Sequence, residues 1–351
     1  MSVKFEIDYF RCLDPSGAVV GALPAALQSP EFTRQLYGAL IRARSFDAKA
    51  IALQRTGRLG TYASALGQEA VSLGAASAMR REDVLVPSFR EHPAQLWRGV
   101  SLLELFLYWG GDERGSDFQS PRQDFPNSVP VGSHVPHAVG VALAFKLRRE
   151  PRVAVCIFGD GATSKGDVAE ALNIAGVWRL PVVFVINNNQ WAISVPRDRQ
   201  TAAETLAQKA IAAGIPGRQV DGNDVLAVHA VIDEAITRAR SGLGASLIEA
   251  VTYRLGDHTT SDDASRYRDD NTVTPHWAEE PAVRLRKYLV ALGQWRKLDE
   301  ERLLADIQTE IDKAVAEYLA TPPQEVATIF EHTFAELPSD LLKQRSTALL
   351  G

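Results

Sequence analysis

The sequence predicts an α/β protein with a mostly parallel sheet that is covered by helices on both faces. Two segments, 152–158 and 181–186, are almost continuously apolar. A helical pattern over 167–179 lies between them. Strands that are apolar on both sides and alternate with helices are typical of a buried parallel sheet. The 351 residues are sufficient for one large α/β domain with appendages or for two ordinary domains.

The segments before this pair predict an extension and the first strand. Residues 1–50 are expected to form an N-terminal extension, with short extended pieces followed by a helix over 32–48, where apolar residues recur three and four apart. A turn over 57–62 and a helix of mostly small side chains over 68–80 come next. The run 83–88 is the first candidate for a buried strand.

The segments after the pair continue the alternation of helix and strand. Residues 51–275 are expected to form the α/β domain, and 276–351 a helical C-terminal region that packs on it. The remaining elements are predicted as a helix over 135–149, a helix over 225–240, a strand over 246–253, a polar loop over 255–274, helical structure over 281–320 and a polar tail after 323.

Composition excludes several classes of function. A formal charge of −5, with 46% hydrophobic and 23% charged residues, leaves no basic excess to attract nucleic acid or anionic lipid, so neither partner is expected. The two distant cysteines, Cys12 and Cys156, favour a reducing compartment. The first residues carry no apolar signal-peptide core, and no apolar run approaches the ~18 residues of a membrane span. We therefore expect a cytoplasmic protein.

The segment Gly159-Asp160-Gly161 follows the first continuous strand directly, and a helix begins a few residues later. Ligands of open α/β sheets bind at the carboxyl ends of the strands, where the next helix offers free N–H groups to an anion. Glycines let the backbone approach such a ligand. A carboxylate at Asp160 would repel a diphosphate unless a cation lay between them.

The next strand ends in Asn187-Asn188-Asn189, which brings amide oxygens to the same edge of the sheet. Asp160 and Asn189 are therefore expected to be neighbours. A carboxylate, an amide oxygen, a backbone carbonyl and two phosphate oxygens form the hard oxygen shell that Mg²⁺ or Ca²⁺ takes. The two strand ends predict a diphosphate bridged by magnesium.

Two simpler interpretations compete with this one. Gly-Asp-Gly and paired asparagines are each common in ordinary turns. Gly159, Gly161 and Gly166 also loosely imitate a nicotinamide-binding turn, but the third glycine is displaced and Asp160 has no role there. The two motifs at consecutive strand ends, separated by one βαβ unit, are more specific than either motif alone.

With these motifs the chain resembles the thiamine diphosphate enzymes, whose signature is Gly-Asp-Gly followed by Asn-Asn. More narrowly, nearly the whole chain resembles the alpha subunit of the decarboxylating component of pyruvate and branched-chain 2-oxo acid dehydrogenase complexes. The resemblance implies a thiamine diphosphate-binding fold. The supporting segments are 54–58, 89–91, 153–196, 208–222 and 252–268.

The resemblance implies a metal and diphosphate site at matching positions. Asp160, the side chain of Asn189 and the carbonyl of Trp191 would bind Mg²⁺. Three residues would present backbone to the diphosphate, namely Gly159, Gly161 and Ala162.

The resemblance also implies contacts to the rest of the cofactor. Arg90 would bind a phosphate oxygen, and Phe89 would lie near the cofactor rings. Val131 matches the apolar side chain that bends the cofactor between its two rings. His258 matches a histidine that reaches the cofactor and assists later proton and acyl transfer, work for which an imidazole has a suitable pKa. The other histidines are interpreted as structural, including His92, His134 and His137.

Two positions depart from the pattern. Branched-chain members often carry a phosphate-binding arginine where this chain has Asn187. Thr259 stands where animal relatives carry a regulatory serine, so phosphorylation control is not expected there. The loop around it could still become ordered when cofactor binds.

The resemblance further implies a divided active site. Thiamine catalysis needs a glutamate beside the aminopyrimidine, and in the family a separate beta subunit supplies it. We expect an α2β2 heterotetramer that is active only with that subunit and delivers its acyl group to a lipoyl domain of a dihydrolipoyl acyltransferase.

The reaction implied is decarboxylation of a small 2-oxo acid followed by reductive acylation of lipoamide. The segment 208–222 resembles bacterial pyruvate enzymes and makes pyruvate the leading substrate, whereas 260–265 resembles branched-chain members, which act on 3-methyl-2-oxobutanoate. An acetoin dehydrogenase is a third alternative. A non-catalytic, cofactor-binding regulatory protein is the alternative from a different class.

Overall fold

The computed structural model describes residues 4–21 and 23–350 and is built around a six-stranded sheet in which every pairing is parallel. This confirms the predicted α/β class. The strands in chain order are β1 (Tyr9–Phe10), β2 (Val84–Val86), β3 (Ala154–Gly159), β4 (Val182–Asn188), β5 (Trp191–Ala192), β6 (Val195–Pro196), β7 (Gly217–Asp221) and β8 (Ser246–Val251). Strands β5 and β6 form a separate two-stranded ribbon. The order across the sheet is β1-β7-β8-β4-β3-β2.

Helices cover both faces of the sheet, as the apolar strands predict. Alternate residues of β3 enter two different clusters: Val155 and Ile157 face one side, and Cys156 and Phe158 face the other. The helices are α1 (Pro30–Arg55), α2 (Glu69–Ser77), α3 (His92–Arg98), α4 (Leu102–Trp109), α5 (His134–Arg148), α6 (Gly166–Val177), α7 (Lys209–Ala213), α8 (Val225–Arg238), α9 (Asp270–Val273), α10 (Pro281–Ala291), α11 (Lys297–Ala320), α12 (Thr328–Glu331) and α13 (Ser339–Ala348).

The first cluster contains side chains of α1, α2 and α8, and the second contains side chains of α5 and α6. None of the helices within the described ranges combines the length and the apolarity needed to cross a membrane.

Several elements differ from the sequence prediction. Strand β7 was not predicted, because its sequence Gly-Arg-Gln-Val-Asp has no apolar run and only its last two residues are buried. The predicted helical region 281–320 is two helices, separated at Gly293, whose φ of 67° is left-handed. The polar tail forms α12 and α13, neither of which has a buried residue. The division at residues 50 and 275 stays a prediction, and α1 runs unbroken through residue 50.

A buried carboxylate ties the N-terminal segment to the sheet. Asp224 caps α8 by accepting hydrogen bonds from the backbone N–H groups of Leu226 (3.1 Å) and Ala227 (3.2 Å). Its other oxygen accepts from the N–H groups of Cys12 (2.7 Å) and Leu13 (2.5 Å), about 210 residues away in the chain. Burial raises the pKa of Asp224 to about 6. One side chain therefore satisfies four backbone donors in two distant segments.

We predict that Asp224→Ala lowers the free energy of unfolding by about 3 kcal/mol, since a cap is lost and two further buried N–H groups lose their acceptor. Urea denaturation measures the loss. Asp269→Ala is the matched control, because Asp269 caps the short helix α9 from an exposed position. The control should cost less than about 1 kcal/mol, and equal losses in the two variants would contradict the anchoring role of Asp224.

Candidate functional site

A cavity of about 200 Å³ lies at the carboxyl ends of β3 and β4. The register explains its position, because Gly159 of β3 pairs with Asn187 of β4 and so places the two strand ends side by side. The cavity brings together every site residue that the sequence singles out: Phe89, Arg90, Val131, Gly159, Asp160, Gly161, Ala162, Asn189, Trp191 and His258.

Asp160 begins a one-turn helix that follows β3 directly, and its side chain is almost fully buried. Burial raises the pKa of its carboxyl group. Within the described part of the chain, no basic side chain lies at ion-pair distance from it. Gly161 must be a glycine, since an added Cβ would lie 2.7 Å from the Cβ of Ala192. This end of the cavity therefore presents a buried carboxylate that lacks a cation.

The structure distinguishes the two asparagines at the end of β4. Asn188 turns away from the cavity, and its Nδ2 donates to Glu249 Oε1 at 2.7 Å. Asn189 lines the cavity, and its Nδ2 donates to Gln68 Oε1 at 2.9 Å. Asn189 Oδ1 accepts from the backbone N–H of Trp191 at 3.1 Å and keeps a second lone pair. Asn189 rather than Asn188 is thus placed to bind a ligand.

The turn around Trp191 holds its backbone in an uncommon conformation. Gln190 and Ile193, on either side of it, have left-handed φ values of 73° and 55°. Such residues cost free energy and persist only where their surroundings hold them. Here Asn188 Oδ1 accepts from the Gln190 N–H at 3.2 Å, and Arg254 Nη2 donates to the Ile193 carbonyl at 2.8 Å. The asparagines therefore stabilise a turn, as the simpler interpretation expects, and the same turn can also form part of a ligand site.

Two buried arginines lie beside His258, and one of them, Arg90, lines the cavity. Arg90 Nη1 donates to the Ser64 carbonyl at 2.5 Å, and its Nη2 donates to the His258 carbonyl at 2.9 Å. Arg254 is 1% exposed, and its Nη2 also bonds the Tyr267 hydroxyl at 2.9 Å.

Among the residues that the structure describes, neither guanidinium has a carboxylate at ion-pair distance. Burial, followed by repulsion from Arg254, lowers the pKa of Arg90 to about 10. Since buried charges are normally paired, the surroundings of these two arginines favour an anion.

His258 is held neutral between the two arginines. Its Nδ1 lies 3.2 Å from Arg90 Nη2 and 3.4 Å from Arg254 Nη1. Because a guanidinium can only donate, Nδ1 must accept, and the ring proton is on Nε2. Burial first, and then the charges of Arg90 and Arg254, lower the pKa of His258 to about 4. The ring edge also packs against Phe89, with centroids 6.0 Å apart.

A buried aspartate of α1 holds the segment that contacts Arg90 and the His258 loop. Asp47 accepts from Ser64 Oγ at 2.6 Å and also from the Tyr62 hydroxyl. The Ser64 carbonyl in turn holds Arg90, and the Tyr62 carbonyl accepts from the N–H of Thr260 at 2.9 Å. One carboxylate therefore fixes a segment on which both Arg90 and the His258 loop depend.

The lining of the cavity has polar atoms that are available to a ligand. Buried polar atoms at its lining lack partners in the described structure, among them Asn187 Oδ1 and His134 Nδ1. No three acidic, histidine or cysteine side chains cluster around a metal position anywhere in the described ranges. Mg²⁺ does not need such a cluster, since it is commonly bound by one or two carboxylates together with phosphate oxygens and water.

Sequence patterns missed several residues of the site. Gln68, Glu91 and His134 line the cavity, and Gln200 and Arg254 contact residues that do. Burial raises the pKa of Glu91 to about 7. His134, interpreted as structural, donates a hydrogen bond from Nε2 to the Ile157 carbonyl oxygen at 2.9 Å. Arg254 had a signal, since it is the first charged residue after the buried strand β8, whereas the glutamines had none.

Residues 37–327 match the protein family described as dehydrogenase E1 component. The chain is 42% identical over 350 residues to a 3-methyl-2-oxobutanoate dehydrogenase subunit alpha of Mycobacterium tuberculosis, which covers 98% of this chain and 94% of that protein. It is 40% identical over 342 residues to a pyruvate dehydrogenase E1 component subunit alpha of Staphylococcus aureus, with 97% and 92% covered.

We predict that the His258 ring in the cofactor-free chain stays neutral until the pH falls to about 4. Because the unfolded ring titrates near 6.5, the unfolded state binds more protons between these values, so this group lowers stability as the pH falls from about 6.5 to 4. NMR titration of labelled histidine measures the pKa directly. Arg90→Met should raise it, whereas Arg42→Met, which breaks a surface ion pair with Glu310, should not. A wild-type pKa near 6.5 would contradict the arrangement.

Proposed function

We propose, since the chain belongs to the dehydrogenase E1 component family, that it is the alpha subunit of a 2-oxo acid dehydrogenase that works with thiamine diphosphate and Mg²⁺. The enzyme decarboxylates a 2-oxo acid and reductively acylates a lipoyl group. The observation that carries the proposal is the presence of two unpaired buried charges of opposite sign at one cavity. The carboxylate of Asp160 and the guanidinium of Arg90 both line it, and neither has an ion-pair partner among the described residues.

The part of the cavity around Asp160 is assigned to the metal. Asp160, Asn189 Oδ1 and the carbonyl of Trp191 would bind Mg²⁺, which prefers such oxygen ligands and completes its shell with phosphate oxygens. The backbone of Gly159, Gly161 and Ala162 would face the diphosphate. The space beside Gly159 supports this assignment. An added Cβ there would meet no neighbouring atom within 4 Å, so the backbone faces open space.

The part of the cavity around Arg90 is assigned to the phosphate oxygens and the cofactor rings. Arg90 would bind a phosphate oxygen, because its buried charge then gains the anion that it lacks. Phe89 and Val131 would contact the rings. Val131 is 47% exposed at the lining of the cavity, so a ring that covered it would remove apolar surface from water.

Thiamine diphosphate supplies the electron sink for decarboxylation. His258 would supply a proton relay beside it. In the cofactor-free chain its neutral ring offers a hydrogen bond from Nε2. An anion beside Arg90 would offset the positive charge that lowers the pKa of His258, and so move this pKa towards the range in which Nε2 exchanges protons at neutral pH.

The site is proposed to be half of an active site. The described part of the chain contains one large sheet and one short ribbon, so a beta subunit would supply the glutamate that activates the cofactor. We propose an α2β2 assembly that passes its acyl group to a lipoyl domain of a dihydrolipoyl acyltransferase.

Pyruvate is the substrate that we propose, on the resemblance of 208–222 to bacterial pyruvate enzymes and the relative from Staphylococcus aureus. The second candidate is 3-methyl-2-oxobutanoate, favoured by the segment 260–265 and by the relative from Mycobacterium tuberculosis.

Asp160→Ala should weaken Mg²⁺-dependent binding of thiamine diphosphate by at least about 100-fold, because the one charged side chain proposed as a metal ligand is removed. Calorimetry on the chain assembled with its beta subunit measures the dissociation constant. Asp198→Ala is the control, since Asp198 is an exposed acid on a neighbouring loop. Unchanged affinity in Asp160→Ala would refute the metal assignment.

The isolated chain should decarboxylate no 2-oxo acid, and activity by the chain alone would refute the divided site. With the beta subunit present, steady-state kinetics should give a kcat/KM at least about tenfold higher for pyruvate than for 3-methyl-2-oxobutanoate. The reverse order would establish the second candidate. Mg²⁺-dependent cofactor binding without turnover of either acid, or of acetoin, would instead favour a non-catalytic cofactor-binding protein.

A further inference from the structure

A glutamine holds the carboxylate of Asp160. Gln200 Nε2 donates to Asp160 Oδ2 at 2.5 Å, and the same amide nitrogen lies 3.2 Å from the Val195 carbonyl oxygen. Among the described residues, no other side chain bonds this carboxylate. The bond uses one carboxylate oxygen and leaves Oδ1 for another ligand.

A second glutamine holds Asn189. Gln68 is 1% exposed, and its Oε1 accepts from Asn189 Nδ2 at 2.9 Å across 121 residues of sequence. An amide has one oxygen and one nitrogen, so tying down Nδ2 fixes the direction of Oδ1. The two side chains assigned to the metal are thus each oriented by a glutamine from a distant part of the chain.

Neutral amides suit this task better than charged groups. A lysine or arginine in place of Gln200 would orient Asp160 but would also neutralise the charge that attracts a cation. A glutamine donates a hydrogen bond and leaves the full negative charge in place. The remaining amide atoms, Gln200 Oε1 and Gln68 Nε2, are buried and make no hydrogen bond in the described structure. Each glutamine therefore makes its ligand contact at the cost of an unsatisfied polar atom.

We propose that Gln68 and Gln200 are positioning residues that fix Asn189 and Asp160 in the geometry required by Mg²⁺. The inference rests on the proposed function, which assigns the metal to these two side chains. Hydrogen-bond partners of metal ligands set both the orientation of the ligands and the affinity of the site. Because Mg²⁺ demands nearly ideal octahedral geometry whereas Ca²⁺ accepts flexible coordination, loss of the orienting bonds must weaken Mg²⁺ more than Ca²⁺.

The test measures dissociation constants for Mg²⁺ and for Ca²⁺ by calorimetry, at saturating thiamine diphosphate, on the chain assembled with its beta subunit. Gln200→Leu and Gln68→Leu remove the orienting bonds. Each should weaken Mg²⁺ by about 10- to 100-fold, with a smaller loss for Ca²⁺. Gln68→Glu keeps an oxygen that accepts from Asn189, and although its charge affects both ions, its ratio of Mg²⁺ to Ca²⁺ affinity should remain within about threefold of the wild type.

Gln95→Leu is the matched control. Gln95 is also a buried glutamine with one side-chain bond, from Nε2 to Asn127 Oδ1 at 2.9 Å, and with an unsatisfied amide atom, but it does not line the cavity. Its replacement should leave both dissociation constants unchanged. If Gln68→Leu fails to assemble, the half-buried Gln200 decides the matter through Gln200→Leu and the shorter amide of Gln200→Asn.

Two failures remain distinguishable. A wild-type complex that binds thiamine diphosphate without any divalent cation refutes the proposed function itself. A wild-type complex that needs Mg²⁺, together with leucine variants that keep its affinity within about twofold, overturns the positioning role alone. Equal losses of Mg²⁺ and Ca²⁺ also overturn it, since a general loosening of the fold would not discriminate between the two ions.

Discussion

The parallel pairing of β3 with β4 is the constraint on which the site depends. Gly159 is in register with Asn187, so Asp160, one residue further on, and Asn189, two residues further on, leave neighbouring strands at the same edge of the sheet. A shift of two residues along the strands would keep every side chain on its correct face but displace Asp160 relative to Asn189 by about 7 Å along the strand direction. The apolar residues on both faces of β3 and β4 resist such a shift, because they are packed into two separate clusters.

The same edge of the sheet keeps opposite charges buried but apart. Asp160 does not pair with Arg90 or Arg254, although all three are almost fully buried. Elsewhere, the buried Arg284 lies 2.6 Å from an oxygen of Asp221, and the half-buried Arg240 lies 2.8 Å from an oxygen of Asp83. The buried Arg268 instead donates to backbone carbonyls. A direct ion pair within the cavity would satisfy the protein without a ligand. The lack of such a pair leaves both charges available to a ligand that carries a cation and an anion.

The sequence predicts the centre of this arrangement better than its surroundings. Continuous apolar runs identify β3 and β4, and the polar residues just beyond them identify Asp160 and Asn189, because each of these signals is local. The family resemblance adds Arg90 and His258. Strand β7 escapes prediction, since it lies near the sheet edge with a polar sequence.

Gln68 and Gln200 could not be predicted from the sequence, for a different reason. Gln68 meets Asn189 across 121 residues, and Gln200 meets Asp160 across 40. Nothing in the composition around either glutamine separates it from a surface side chain, and only the tertiary structure brings the partners together.

The unfavourable features of the chain collect where a ligand would relieve them. The left-handed Ile193, the guanidinium of Arg90 and the carboxylate of Asp160 all line one cavity, and neither charge has an ion-pair partner among the described residues. The left-handed Gln190 directly precedes Trp191 of the same lining. Each costs free energy in the cofactor-free chain. A ligand that binds only the folded state stabilises it by mass action, and a metal diphosphate would remove at least the two electrostatic costs. The strained turn and the unpaired charges thus lie together, and a ligand that carries both a cation and an anion would relieve the electrostatic part of their cost.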